Sequence, residues 1–284
     1  MLDREELIEQ AYFFRVMGQR LLENFPMQDS LASIRDEVLA TTKLPLAIDY
    51  MLAELLHAGM MSTAMAKLSH YFTPFQTYVM GEAESEHSRF DFRVALAVLH
   101  KEAEYRSGDA SPQGLFLYQF ETLCRNRLKY ERGLDALAQD PIYDEPWRQW
   151  ITTVRRQIGI LDLADLIYVS SEHALTIRRQ RGEVNPQPQR AVLFGEREGK
   201  IAMANRRKDP LLLFAALQRQ LNYPEVPRVK PVDETPQLIP QLMRRMERLE
   251  TRLKMMEEEQ RSGSIDLTKF YQRDDPPAAG LGEG

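Results

Sequence analysis

Apolar residues recur every three or four positions along most of the chain, the spacing that lines up one buried face of a helix. Leu7, Ile8, Ala11, Phe14, Met17, Leu21 and Leu22 follow an Asp3-x-x-Glu6 pattern, which predicts a capping box and a first helix. A second helix is expected from Asp29 or Ser30, with Leu31, Ile34, Val38 and Leu39 on one face. The third opens with Pro45 at its first position and runs to about Lys67, apolar on most sides. Thr73-Pro74 starts a helix reaching about His87, and Asp91 restarts it through Phe92, Val94, Leu96, Leu99 and Tyr105. Ser111-Pro112 opens another to about Arg127, and Glu145-Pro146 one that carries Trp147, Trp150, Ile151 and Val154. Asp162 to Arg179 and Asp209-Pro210 to Leu221 complete the series. Thr73, Ser111 and Asp209 are each an N-cap type followed by Pro, so the missing proline N–H falls where a helix has no use for it.

Only Ala191-Val192-Leu193-Phe194 has strand character, and four residues make no sheet. The expected class is therefore all-α. Residues 1–221 form a multi-helix core, 222–235 a Pro-rich linker, 236–261 a coiled-coil helix and 262–284 a disordered tail. Pro224, Pro227, Pro231, Pro236 and Pro240 crowd the junction and predict a semi-rigid spacer.

The helix beyond that spacer carries the most specific pattern. Ile239, Leu242, Met246, Leu249, Leu253 and Met256 are spaced 3-4-3-4-3, an a/d register over about three heptads. Arg245 and Arg252 then fall at g, and Glu250 and Glu257 at e. In a parallel pair each g faces the e five positions on in its partner, so Arg245 meets Glu250 and Arg252 meets Glu257, opposite in sign both times. The pattern predicts self-association, as a parallel dimer first and a trimer second. The tail adds Ile265, Leu267, Phe270 and Tyr271 between flexible flanks, the form of a short docking motif for another protein.

Charge and cysteine content narrow the function class. Formal net charge is −5, unevenly spread: residues 1–110 carry −7 and residues 111–221 carry +4. The one cysteine, Cys124, excludes an internal disulfide or a Cys-based zinc site and fits a reducing interior. Met1-Leu2 leads straight into Asp3, Arg4, Glu5 and Glu6, without a basic start and apolar core. The most apolar stretch, Leu44 to Met61, contains Asp49, Glu54 and His57, so it reads as a buried helix and not a membrane span. A cytoplasmic protein without a membrane role is expected.

Several groups invite a chemical reading. Glu54/His57 and Glu84/His87 are two Glu-x-x-His pairs, the i, i+3 geometry of di-metal carboxylate proteins, although no separate helix between them offers a second lone glutamate. Phe194-Gly195 to Lys200-Ile201 resembles a phosphate loop, but has three residues between its glycines where four are needed and Ile201 where Ser or Thr belongs. Ser170, Ser171 and His173 are too close in sequence to converge on one helix face. Residues 178–208 hold nine basic residues against three glutamates. Among them Arg178, Arg179, Arg181, Arg206, Arg207 and Lys208 form an anion-binding candidate, for nucleic acid or an acidic partner. The acidic whole-chain balance, the lack of a recognition motif and the single aromatic Phe194 in that segment weigh against nucleic acid. No cofactor and no catalytic residue is implied, and the expected function is an oligomerising scaffold or adaptor.

Overall fold

The computed structural model describes residues 2–85, 90–182, 190–228 and 235–262. The chain divides into two units, Met1–Val229 and Lys230–Gly284. The first unit is all-helical among the described residues. Its helices are α1 (Arg4–Leu22), α2 (Met27–Glu37), α3 (Leu44–Ala58), α4 (Met61–Lys67), α5 (Pro74–Glu84), α6 (Phe92–Ser107), α7 (Pro112–Arg125), α8 (Tyr130–Ala138), α9 (Glu145–Gln157), α10 (Leu163–Val169), α11 (Glu172–Gln180), α12 (Glu196–Ala204) and α13 (Pro210–Leu221). The second unit contributes α14 (Thr235–Ser262).

The proline-preceding caps form as their chemistry requires. Thr73 and Gln76 exchange side-chain bonds with each other's backbone N–H in a complete capping box. Ser111 accepts from Gly114 and Asp209 from Leu211. Asp91 likewise accepts from Arg93, and Asp144, one residue ahead of the expected start, accepts from Trp147.

Three local expectations change, each because a tertiary partner or a backbone conformation overrides the local pattern. Asp3 is the N-cap of α1 but makes no side-chain cap bond. Its expected capping-box partner, Glu6, is buried and turned away, accepting from the backbone N–H of Lys43 at the start of α3 (2.8 Å). The long helix expected from Pro45 to Lys67 is two helices, because Gly59 closes α3 in the left-handed region at φ 69°. The helix expected from Asp162 to Arg179 breaks at Ser170-Ser171, where Ser171 Oγ caps α11 by accepting from Ala174 N–H. A further helix, α8, lies where no start signal was read in the sequence, its N-cap being Lys129. It forms because Leu134 and Leu137 bury against the core.

Packing runs from α1, laid along α6, through α7, to the later helices. Phe116 and Phe120 of α7 stack at 5.6 Å, and Trp147 and Trp150 of α9 surround Phe116 at 6.0 and 4.8 Å. The strand-like run ends in the same cluster. Phe194 sits edge-on to Trp147 and Trp150, and its segment is held by Leu193 and Phe194 N–H groups donating to Ser170 O. Two isolated bridges, Ser171 with Phe194 and Ile158 with Leu161, stand in place of a sheet among the described residues. Aromatic pairs of this kind add about 0.5–1.5 kcal/mol each beyond burial, which makes this cluster a main anchor of the unit. Past α13 the backbone stays on the core. Tyr223 and Val226 are buried, and the Tyr223 hydroxyl donates to Glu121 (2.8 Å).

Candidate functional site

Within α14, the 28 residues rise about 42 Å as one helix. Met246, Leu249, Leu253 and Met256 are 60, 58, 56 and 55% exposed, so four successive a/d side chains face water. Arg245, Glu250, Arg252 and Glu257 are exposed beside them. Ile239 and Leu242 belong to the helix, while their side chains lie outside the described set, as do the tail residues Ile265, Leu267, Phe270 and Tyr271.

The basic segment is partly spent on the fold. Arg206 lies 4.3 Å over the Tyr168 ring and pairs with Asp165 at 2.5 Å. Lys200 pairs with Glu196 (3.2 Å). Arg207 has its backbone N–H on Asp162, at φ 58°. Arg178 is half-buried beside a cavity of about 200 Å³ that Arg181 also lines, and Arg179, Arg197 and Lys208 are exposed.

Ser171 and His173 sit where α11 and α12 touch. A Cβ on Gly199 would fall 2.3 Å from Ser171 Oγ and 2.6 Å from His173 Cβ, so only glycine lets the helices meet there. His173 Nδ1 bonds Glu196 (2.8 Å) and Ser171 Oγ donates to Tyr168 O (2.7 Å). The bond from His173 holds the Glu196 carboxyl below its ordinary range. Ser171 and His173 are thus used in capping and packing, and the buried Ser170 hydroxyl has no hydrogen-bond partner among the described residues.

The Glu-x-x-His residues are held by different parts of the fold. Glu54 pairs with Lys67 (2.7 Å). Glu84 accepts from Met61 and Ser62 N–H groups, satisfying the start of α4. His57 is exposed, and His87 lies outside the described residues. Among the described residues no group of three His, Cys, Asp or Glu side chains is placed to hold a metal ion. Burial pushes the Cys124 thiol up to about 11, with Tyr130 bonded to it.

One polar centre escaped the sequence reading. Glu102 and Arg106 lie one turn apart on α6, in phase with the buried Ala95, Leu96, Val98 and Leu99. Arg106 donates to Glu102 through Nε (3.2 Å) and Nη2 (2.9 Å), and to Asp140 through Nη1 (3.3 Å) and Nη2. Gln119 of α7 donates to both carboxylates, and the Tyr143 hydroxyl donates to Gln119. Glu102, Asp140 and Gln119 are fully buried and Tyr143 nearly so. Burial by itself lowers the Arg106 pKa, but the two carboxylates overcome that and hold the guanidinium above its usual range. The in-phase Glu102/Arg106 pair was the available signal; Asp140, 34 residues on, was not readable.

The chain matches no protein-family model, and neither a curated protein nor a solved structure is significantly similar to it. Its function must be argued from its own residues.

Proposed function

We propose that the protein is an oligomerising scaffold whose assembly element is α14. The observation that carries this reading is the exposed stripe of Met246, Leu249, Leu253 and Met256 in a 3-4-3 register. Burying a side chain of this kind contributes roughly 1.5–3 kcal/mol when it passes from fully exposed to buried. These four start a little over half exposed, which leaves on the order of 1 kcal/mol each per copy, or about 8 kcal/mol for a dimer. Association costs about 4–15 kcal/mol of lost freedom, so three heptads give a weak, concentration-dependent coil. The parallel dimer is favoured by Arg245 with Glu250 of a second copy and Arg252 with Glu257, and a trimer is the second state.

No helix among the described residues is long and apolar enough to cross a membrane. The reading assigns the protein to the cytoplasm, supported by its lone, half-buried thiol, and assigns a further protein partner to the tail. Light scattering of the full chain across a concentration series tests the core of it. The mass should rise above that of one chain and fall back in the Leu249→Glu/Leu253→Glu variant. A mass of one chain at every concentration, or an unchanged oligomer in the variant, defeats the reading.

A further inference from the structure

A cavity of about 500 Å³ in the first unit opens between the start of α1, the loop before α5, the end of α6 and the loop after α8. That volume lies within the ordinary range for small-molecule sites. Its walls are mainly apolar, with Leu7, Phe72, Pro74 and Ile142 among them, and three buried side chains with polar atoms, Gln10, Tyr71 and Arg106, reach the lining; the Tyr71 hydroxyl has no hydrogen-bond partner among the described residues.

Gln10 and Arg106 both offer N–H donors. Four of the five Arg106 N–H groups go to Glu102 and Asp140, which leaves one Nη1 hydrogen without an acceptor among the described residues. The orientation of Gln10 follows from the capping box beside it. Thr73 N–H donates to Gln76 Oε1, so Gln76 Nε2 donates to Gln10 Oε1 (2.8 Å). Gln10 Nε2 is therefore a donor, with one hydrogen directed at Tyr71 O (3.5 Å) and the other without an acceptor among the described residues. Charge narrows the ligand further. Arg106 is already matched by two carboxylates, so the buried cluster carries a net −1, and an anionic ligand would meet Glu102 and Asp140 just behind the guanidinium. A cationic ligand would meet the guanidinium itself.

We infer that this cavity is a binding site for a neutral, largely apolar small molecule bearing a carbonyl acceptor, which takes the free N–H groups of Arg106 and Gln10. The apolar body replaces water along Leu7, Phe72, Pro74 and Ile142. The carbonyl satisfies the two donors, whose positions are set in advance by Glu102 and Asp140 around Arg106 and by Gln76 beside Gln10.

The probe is the neutral fluorescent naphthyl ketone Prodan, titrated into the full chain, with anilinonaphthalene sulfonate as its anionic counterpart. The expected result is a blue-shifted, saturable Prodan signal at one site per chain, with the sulfonate failing to compete. Ala110→Trp and Ile142→Trp each place an indole in the cavity, and either should weaken Prodan by about tenfold or more while the far-ultraviolet spectrum and melting temperature stay unchanged. If one of the two fails to fold, the other carries the test. Leu249→Glu/Leu253→Glu should leave binding intact, since it alters only α14. No saturable signal in the wild type, equal binding by the sulfonate at the same site, undiminished binding in the folded filled variants, or loss of binding on altering α14 would each overturn the inference. The last outcome separates probe adsorption on the α14 stripe from occupancy of the cavity, so failure here leaves the assembly reading standing.

Discussion

Replacing Arg106 by Met should be among the most damaging single changes in the first unit. Glu102 and Asp140 are 0% exposed and Arg106 is 7% exposed. Truncation leaves two buried carboxylates, with Gln119 and the Ile142 N–H as their remaining donors. Breaking a buried ion pair in this way costs about 3–5 kcal/mol, because the orphaned charge stays desolvated. For a unit of this size, each kcal/mol lowers the melting temperature by roughly 2–4 °C, so a fall of about 6–20 °C is expected. Urea unfolding at pH 7.5 measures the free energy, and calorimetry the temperature. Two further arms make the reasoning specific. The unpartnered carboxylates acquire raised pKa values in the folded variant, so its deficit should shrink as the pH falls from 8 towards 5. Glu102→Gln/Arg106→Met/Asp140→Asn removes every charge together and should recover most of the loss. A deficit below about 1 kcal/mol for the single variant, or a triple variant no better than the single one, would refute the claim that desolvated charge dominates this centre.

Cys124, with its thiol pushed up to about 11, should label slowly with iodoacetamide at pH 8 in the folded chain and rapidly in urea; equal rates would show the thiol to be accessible and ordinary. Glu84→Gln weakens the cap on Met61 and Ser62, so a loss of about 1 kcal/mol is expected in urea melts, and no loss would mean that water serves those N–H groups equally well. Asp91, Glu54, Glu104 and Glu196 are held below the ordinary carboxylate range by Arg93, Lys67, Lys101 and His173 respectively. Their stabilisation is present above the unfolded carboxylate pKa of about 4 and is lost as the pH falls through their lowered folded values. The urea midpoint should therefore drop between pH 5 and pH 3, and a midpoint rising over that interval would contradict the assignment.

The sequence by itself determined whatever depends on neighbours in the chain. The helical class follows from 3–4 spacing, and the starts at Thr73, Ser111 and Asp209 from a side-chain acceptor placed before a proline. The α14 register is local too, since six apolar positions and four charges repeat within one helix. Tertiary structure decided what depends on partners far along the chain. Glu6 had a local role available as the partner of Asp3, and its oxygen went instead to Lys43, 37 residues away, where the start of α3 needed an acceptor. Glu84 looked like one half of a Glu-x-x-His pair and became the cap of a helix that exists only because Gly59 turns left-handed. Ser170 and Ser171 read as helix interior, but the Phe194 segment takes the Ser170 carbonyl as its acceptor and the helix divides there. Arg106 had to meet Asp140 before four of its five N–H groups found acceptors, and the cavity beside it exists only once α1, α6 and the loops before α5 and after α8 are brought together. A local pattern states which bonds a residue is able to make. The folded chain selects among them, because a buried donor or acceptor left unpaired costs more than any local preference returns.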